Sequence, residues 1–435
     1  MALKSGSQLI ALRFPNFVRV AGEVIEGCVD LNVPLARKDG IDHLSIELEG
    51  VIKTKTITSL GPVIVHHKET VHLFDSPSQT LWSSKATQPD VSCDILSCPF
   101  RFTLPSSLPP SFTCGNSTPP DATVRYSLQA VGARSGTLQR NRRFKRVFLV
   151  MPAASERQML EAEGLRQGWV GNGGWKHCQQ DEKIRQGIWG EYSGVHASLS
   201  LPDLPSLPSS TPIPYTLHIM TDTKTLDKSD RPEDKHGKPL FPAPPTQLSE
   251  LSVVLHRRAK YIVRDSGVDH EAERKDSFDL RSGRQLTTGY SSEEDVPRRI
   301  HRPSTNLLVD DAKWISDADS EERGVWRRSV RFMSTFVFPF APSYRTETLK
   351  WVYTLEITIP FPGMGNDLTL KVPITLNPLA ACPPPPLGAP GTSILAYADI
   401  LPVGPPPDDL LDLPPAYFTT EGHEWDDEKA GAEKN

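Results

Sequence analysis

The sequence predicts an all-β chain made of two immunoglobulin-type β-sandwich domains followed by a disordered C-terminal tail. Three observations support this prediction. Apolar and polar residues alternate over short stretches, which is typical of strands with one buried face. Clusters of Pro, Gly and Ser separate these stretches, as in β-sandwiches. Proline accounts for 41 of the 435 residues, which disfavours long helices because proline lacks the backbone N–H that a helix interior needs.

The first domain is predicted to span residues 1–152. Residues 44–49 read Leu-Ser-Ile-Glu-Leu-Glu and residues 125–130 read Arg-Tyr-Ser-Leu-Gln-Ala. In both stretches every second side chain is apolar, which indicates a strand between core and solvent. We therefore expect Ile46 and Leu128 in the core and their polar neighbours at the surface.

A linker is predicted at residues 153–194, with one short helix from the cap candidate Ser155 to Gly164. The second domain is predicted to span residues 195–380. Within it, residues 264–322 are rich in charges of both signs and poor in aromatics. Such a composition cannot bury much apolar surface, so we expect a disordered insertion between strands.

A similar motif occurs once in each predicted domain. Leu-Pro-Pro-Ser-Phe at 108–112 precedes Val-Arg-Tyr-Ser-Leu-Gln-Ala at 124–130. Phe-Ala-Pro-Ser-Tyr at 340–344 precedes Trp-Val-Tyr-Thr-Leu-Glu-Ile at 351–357. The spacing within the two copies differs, so the sequence indicates two sandwiches of one kind rather than an exact repeat.

Charge and hydropathy exclude several classes of protein. The net charge of -5 comes from 48 Lys and Arg against 53 Asp and Glu, and the predicted tail at 381–435 is acidic, with ten Asp and Glu against two Lys. The absence of a basic, aromatic-rich face argues against nucleic-acid binding. No window of 18 apolar residues could span a bilayer, and the start lacks a signal-peptide core, so we expect a cytosolic protein.

The sequence offers no catalytic constellation. It has no Gly-rich phosphate loop, no metal-ligand cluster and no nucleophile paired with a base, so we expect no enzyme activity, cofactor or metal. The six cysteines show no zinc spacing and are expected to be reduced thiols, although Cys93 and Cys98 could bridge or bind a metal. The adjacent His177 and Cys178 are more typical of a loop than of a catalytic dyad.

Several stretches together resemble a known family. Gly-Glu-Val-Ile-Glu-Gly at 22–27, Leu-Ser-Ile-Glu-Leu-Glu-Gly at 44–50 and the motif at 108–112 are similar to the arrestin N-terminal domain. The motif at 340–344 and Val-Pro-Ile-Thr-Leu at 372–376 are similar to the arrestin C-terminal domain. The chain resembles an α-arrestin, one of the arrestin-domain-containing trafficking adaptors. This resemblance implies two arrestin-like sandwiches and an adaptor function without catalysis.

The most specific functional motif is Leu413-Pro414-Pro415-Ala416-Tyr417 in the predicted tail. Adjacent prolines preset a polyproline II helix that docks into the aromatic groove of a WW domain at low entropic cost, and the tyrosine fills a second pocket. By itself the motif could also reflect proline-rich linker composition. The resemblance implies a ligand for a WW-domain-containing HECT-type ubiquitin ligase.

The function implied by the resemblance is recruitment of that ligase to membrane transporter or receptor cargo at the plasma membrane and endosomes. Ubiquitination, endocytosis and sorting of the cargo would follow. One alternative is a sorting-coat scaffold of the retromer type, which shares the arrestin fold but does not recruit a ligase. The other is a β-sandwich enzyme or lipid-binding module, which would need a convergent polar pocket.

A second candidate site is a basic stretch of five cations within seven residues. It could bind anionic lipid headgroups or phosphorylated or acidic cargo tails. It could equally be a solvated edge strand whose charges prevent aggregation. The cations are Arg140, Arg142, Arg143, Lys145 and Arg146.

Five serines are candidate phosphorylation sites because acidic or basic residues flank them, although an inert loop would have the same composition. They are Ser277, Ser291, Ser292, Ser316 and Ser320.

Overall fold

The structure is a computed structural model, and it describes most of the chain as far as residue 378. The two sandwiches it contains confirm the predicted all-β fold class. The predicted tail at 381–435 lies outside the described residues. The described residues are 9–15, 18–85, 94–115, 121–135, 140–169, 174–185, 192–233, 237, 239–280, 305–363 and 365–378.

The first sandwich contains strands β1 to β11 and one short helix. Their bounds are β1 (Ile10–Arg13), β2 (Arg19–Val20), β3 (Val24–Asn32), α1 (Val33–Lys38), β4 (Ile41–Leu60), β5 (Val63–His72), β6 (Ser78–Ser83), β7 (Ile95–Thr103), β8 (Phe112–Cys114), β9 (Ala122–Arg134), β10 (Arg142–Phe148) and β11 (Val150–Met151). One sheet has the order β1-β3-β7. The other has the order β10-β9-β4-β5, with β6 paired to β4 and β8 paired to β9.

The alternating pattern places one face of each strand in the core. Ile46 and Leu48 on β4 and Leu128 on β9 are 0% exposed, whereas Glu47 between the first two is half-buried. Side chains from β3 and β7 pack into the same core. Burial of each such aliphatic side chain contributes about 1.5–3 kcal/mol, so the alternation holds the two sheets face to face.

A helix, α2 (Glu156–Arg166), follows the first sandwich. Ser155 Oγ accepts a hydrogen bond from the backbone N–H of Gln158 at 3.3 Å, and the Gln158 side chain accepts one from the backbone N–H of Ser155 at 2.9 Å. This reciprocal cap satisfies two helix-terminal donors and fixes the start of the helix. The helix continues through Gly164, which the sequence predicted as its end.

The second sandwich contains strands β12 to β24 and one 3₁₀ turn. Their bounds are β12 (Trp175–Arg185), β13 (Tyr192–Pro202), β14 (Leu207–Pro208), β15 (Ile213–Asp222), β16 (Leu226–Asp227), the 3₁₀ turn (Leu248–Glu250), β17 (Ser252–Asp265), β18 (Val268–Asp279), β19 (Asn306–Asp317), β20 (Ser320–Phe336), β21 (Tyr344–Arg345), β22 (Leu349–Ile359), β23 (Leu368–Ile374) and β24 (Leu376–Asn377). One sheet has the order β12-β13-β15-β20-β16, with β19 also on β20. The other has the order β18-β17-β22-β21, with β23 also on β22.

The linker predicted at residues 153–194 is shorter in the structure. Residues 175–185 form β12, which pairs antiparallel with β13 along its whole length. The sequence pattern missed β12 because it is an edge strand with nearly all side chains exposed, so it shows no apolar alternation. The second sandwich therefore begins before residue 195.

The prediction of a disordered insertion at residues 264–322 is wrong at both ends of that range, where the structure has strands. The described residues there form β18, β19 and the start of β20, in two antiparallel hairpins. Charged composition suggested disorder, but edge hairpins tolerate the same charges because cross-strand ion pairs and solvent stabilise them. Residues 281–304 lie outside the described residues.

The repeated motif forms the same contacts in both sandwiches. The Tyr126 hydroxyl donates to the carbonyl oxygen of Pro109 at 2.6 Å, and the Tyr353 hydroxyl donates to that of Ala341 at 2.7 Å. Both tyrosines are almost fully buried, so each hydroxyl needs its carbonyl partner. The motif is therefore a structural repeat despite its unequal spacing.

The serine of the motif forms the same hydrogen bond to the last strand of each sandwich. Ser111 Oγ accepts from the backbone N–H of Val150 at 3.0 Å, and Ser343 Oγ accepts from that of Leu376 at 3.1 Å. These bonds hold β11 and β24, which pair in parallel with β2 and β14 respectively. The two sandwiches thus hold their last strands by the same combination of a serine hydrogen bond and a parallel strand pair.

Candidate functional site

The junction between the sandwiches is centred on Arg257 of β17. Its guanidinium binds Asp276 on β18 at 2.7 and 3.0 Å and donates to the backbone carbonyl of Thr113 in the first sandwich at 3.1 Å. The guanidinium also lies over the Phe112 ring at 4.9 Å, and Phe112 stacks on Trp351 at 4.1 Å. One buried cation therefore links the two sandwiches.

Burial governs the electrostatics of this junction. Burial by itself lowers the pKa of Arg257, but electrostatic attraction and a hydrogen bond to the Asp276 carboxylate oppose this effect, and the pKa stays above the ordinary value. Burial raises the pKa of the Cys114 thiol to about 12 and raises the pKa of Tyr353 well above its usual range. The junction at neutral pH therefore holds an arginine cation beside a neutral thiol and a neutral phenol.

A histidine forms a second link between the sandwiches. His67 on β5 is buried, and its Nδ1 lies 2.7 Å from Asp265 Oδ2 at the end of β17. Its Nε2 lies 2.8 Å from Thr58 Oγ1 on β4, and its ring stacks on His270 of β18 at 3.8 Å. The β4–β5 hairpin is thereby attached to the turn between β17 and β18.

Two further hydrogen bonds join the same face of this hairpin to the second sandwich. Glu69 accepts from the backbone N–H of Arg264 at 2.8 Å, and Thr54 Oγ1 donates to the carbonyl of Ile262 at 3.3 Å. Thr54 and Glu69 lie opposite each other in the β4–β5 ladder. One face of the hairpin is therefore covered by the second sandwich.

Most of the predicted basic stretch forms β10, the last strand of its sheet, and two of its cations pair within the first sandwich. Arg142 Nε lies 2.9 Å from Asp39 Oδ2, and Lys145 Nζ lies 2.7 Å from Glu49 Oε2. Hydrogen bonds from Arg142 and Arg134 hold the pKa of Asp39 well below its usual range. These ion pairs stabilise β10, and the paired cations also contact solvent.

The remaining cations of the stretch differ in exposure. Arg146 lies over the Phe14 ring at 4.6 Å and donates to the carbonyls of Leu12 and Phe14 at 3.5 and 3.3 Å. Arg140 and Arg143 are exposed. The structure therefore keeps the five cations on one edge but directs only part of their charge outward.

Three predicted phosphorylation sites are described. Ser277 is half-buried on β18, and its hydroxyl lies 2.8 Å from Nδ1 of His256. Ser316 is exposed at the end of β19, and Ser320 is half-buried at the start of β20. Of these three, Ser316 is the most accessible to a kinase.

The predicted WW-binding residues and two of the serines lie outside the described residues. They are Leu413, Pro414, Pro415, Tyr417, Ser291 and Ser292.

An open groove of about 800 Å³ lies beside β17 and β18. Its lining mixes cations and acids, including Lys260, Glu273, Arg345 and Glu347. Lys260 Nζ lies 3.4 Å from Glu273 Oε2, so part of the charge is neutralised within the groove. The groove lacks the convergent apolar lining of a typical small-molecule site.

The described cysteines are free thiols. Cys98 is buried, and burial raises its pKa to about 11. His177 Nδ1 lies 2.8 Å from Ser200 Oγ, and Cys178 is half-buried beside it in the chain. In the part of the chain that the structure describes, no group of three His, Cys, Asp or Glu side chains could hold a metal ion. The same residues include no helix long and apolar enough to cross a bilayer.

Arg257 and Asp276 were missed by sequence reasoning, although one signal was present. Residues Val253, Leu255, Ala259 and Tyr261 are buried on alternate positions of β17, and Arg257 occupies the same inward phase. An arginine at an inward position predicts a buried acidic partner. The partner itself could not be located, because it follows from pairing with β18.

The family comparison agrees with this architecture. Residues 9–155 match the family model "Arrestin (or S-antigen), N-terminal domain", a range that includes the first sandwich through β11. The chain has an arrestin fold. Arrestin-family proteins are generally non-enzymatic scaffolds, and the family suggests a role in trafficking as an adaptor. The search of curated proteins gave no match for the chain.

Proposed function

We propose that this arrestin-fold chain is a non-enzymatic adaptor that brings a WW-domain-containing HECT-type ubiquitin ligase to membrane transporters or receptors. Ubiquitination, endocytosis and sorting of the cargo follow from this recruitment. The adaptor acts in the cytoplasm and peripherally at the plasma membrane and endosomes. This is the function of an α-arrestin.

The observation that carries the proposal is the Pro414-Pro415-Ala416-Tyr417 motif in a chain with an arrestin fold. The two joined sandwiches offer a broad platform for cargo, and the motif supplies a short ligand for the ligase. A short linear motif buries little surface, so a single engagement is weak. Tandem WW modules or co-localisation at a membrane raise its occupancy through effective concentration.

The proposal is tested by titration calorimetry of the full chain against a panel of isolated WW domains. Tyr417→Ala removes the side chain that fills the second pocket, and Pro415→Ala removes a ring contact and the preset φ. We expect either variant to abolish measurable binding without changing the melting temperature. The matched controls are Tyr397→Ala and Pro406→Ala, which alter the same residue types outside the motif and should leave binding unchanged.

Equal binding by the wild-type chain and the Tyr417→Ala variant, or no binding by either, would contradict ligase recruitment through this motif. The sorting-coat scaffold would then become the better explanation of the arrestin fold.

A further inference from the structure

The tip of the β4–β5 hairpin exposes an apolar cluster that the adaptor function does not explain. Ile57, Val63 and Ile64 are 56%, 57% and 64% exposed. Past Lys55, β4 pairs with β5 alone among the described strands. The last five ladder pairs therefore project as a two-stranded ribbon of roughly 17 Å.

The two faces of this ribbon have different surroundings. Residues directly opposite each other in an antiparallel ladder share a face. The face with Thr54, Thr58, His67 and Glu69 is the one that binds the second sandwich. Ile57 and Ile64 lie on the opposite face, which points away from that sandwich.

The outward face is amphipathic along its length. Ile57 and Ile64 lie nearest the turn, with His66 beside Ile57 in the ladder. Lys55 and Lys68 form the next pair on this face, and Lys53 with Thr70 the pair after that. Between Lys53 and Thr70 this face carries no acidic residue. An apolar tip behind which cations are clustered is complementary to an anionic bilayer, whose acyl chains accept the isoleucines and whose headgroups attract the lysines.

We propose that the β4–β5 hairpin is a membrane-docking element that inserts Ile57 and Ile64 into the interface of an anionic lipid bilayer, with Lys55 and Lys68 at the headgroups. The site is distinct from the basic stretch, because β10 and β5 lie at opposite edges of the same sheet. Membrane docking by the hairpin extends the proposed adaptor function. It rests on that function only in assuming that the protein works at a membrane. Vesicle binding needs neither ligase nor cargo, so the two proposals can fail separately.

The test is sedimentation of the full chain with phosphatidylcholine vesicles that either contain phosphatidylserine, an anionic lipid of the cytoplasmic leaflet, or lack it. We expect binding to the anionic vesicles, weakened by salt because the lysines are screened. Ile57→Ser with Ile64→Ser should weaken binding about tenfold or more, since less apolar surface leaves water. Lys55→Gln with Lys68→Gln should weaken it about tenfold and flatten its salt dependence.

The matched control is Leu308→Ser with Val309→Ser, which removes apolar side chains of comparable exposure, 52% and 54%, from β19 in the second sandwich. This control and Tyr417→Ala should both bind vesicles as the wild type does. In an Ile64→Trp variant, the added fluorescence should be quenched by lipids brominated in their acyl chains. The proposal is overturned if the wild type does not bind anionic vesicles, if the isoleucine variant binds unchanged, if the control loses as much, or if the added tryptophan is not quenched.

Discussion

Replacing Asp276 with Asn tests whether the buried ion pair holds the two sandwiches together. The side chains of Arg257 and Asp276 are 9% and 5% exposed, so the variant leaves an arginine charge buried without its counterion. Breaking a buried pair in this way typically costs about 3–5 kcal/mol. The loss of unfolding free energy should be larger than the loss from breaking a surface pair, because water cannot replace the missing carboxylate.

The same hairpin supplies a matched control. Arg258 and Glu273 also pair between β17 and β18, at 2.9 Å, but their side chains are 54% and 41% exposed. Exposed pairs contribute about 0–1 kcal/mol, so Glu273→Gln should be nearly neutral. Replacing both buried partners, as Arg257→Met with Asp276→Leu, should recover most of the loss because no unpaired charge remains.

The measurement is urea unfolding of the full chain followed by tryptophan fluorescence, to which Trp351 at the junction contributes. A loss of cooperativity between the sandwiches would appear as two separated transitions or a lower urea dependence in the Asp276→Asn variant. If Asp276→Asn destabilises the chain no more than Glu273→Gln does, the burial argument for this pair is wrong.

Two further predictions concern the stability of the sandwiches. Leu355→Ala should lower the free energy of unfolding by about 2–5 kcal/mol because it leaves a cavity in the core. Gln129→Ala and Glu47→Ala should each change that free energy by no more than about 0.5 kcal/mol. Similar losses at all three positions, measured by urea unfolding, would contradict the strand assignment. Burial lowers the pKa of His218 and of His256 below the ordinary value of 6.5, so the folded state binds fewer protons than the unfolded state and the stability present above pH 6.5 is lost as the pH falls below it. Unfolding midpoints at pH 7.5 and 5.5 should therefore differ less in a variant with both histidines changed to Gln than in the wild type, and an equal or larger difference would argue against these two groups.

The inward-facing strands were predictable from sequence because burial on one face leaves a direct alternation. Ile46 and Leu128 lie in the core as expected, and Leu355 in the alternating stretch at 351–357 is buried in the same way. The edge strands β12, β18 and β19 were not predictable in this way, since an edge exposes most side chains and removes the pattern. Pairing with a neighbouring strand, not local composition, orders them.

The candidate sites also differ in whether the sequence alone could reveal them. The basic stretch was visible as a run of charge, but its internal partners Asp39 and Glu49 are far away in sequence and follow only from the fold. The junction residues Arg257 and Asp276 depend equally on strand pairing. The Pro-Pro-x-Tyr motif was identified from the sequence alone, because a linear ligand needs no tertiary context.

The parallel closing strands have a consequence for the topology of the chain. Because β11 lies beside β2, and β24 beside β14, each sandwich brings the end of its chain back next to an early segment. Neighbouring ends of this kind are the condition for circular permutation. The fold of each sandwich therefore depends more on which strands lie side by side than on the point at which its chain begins.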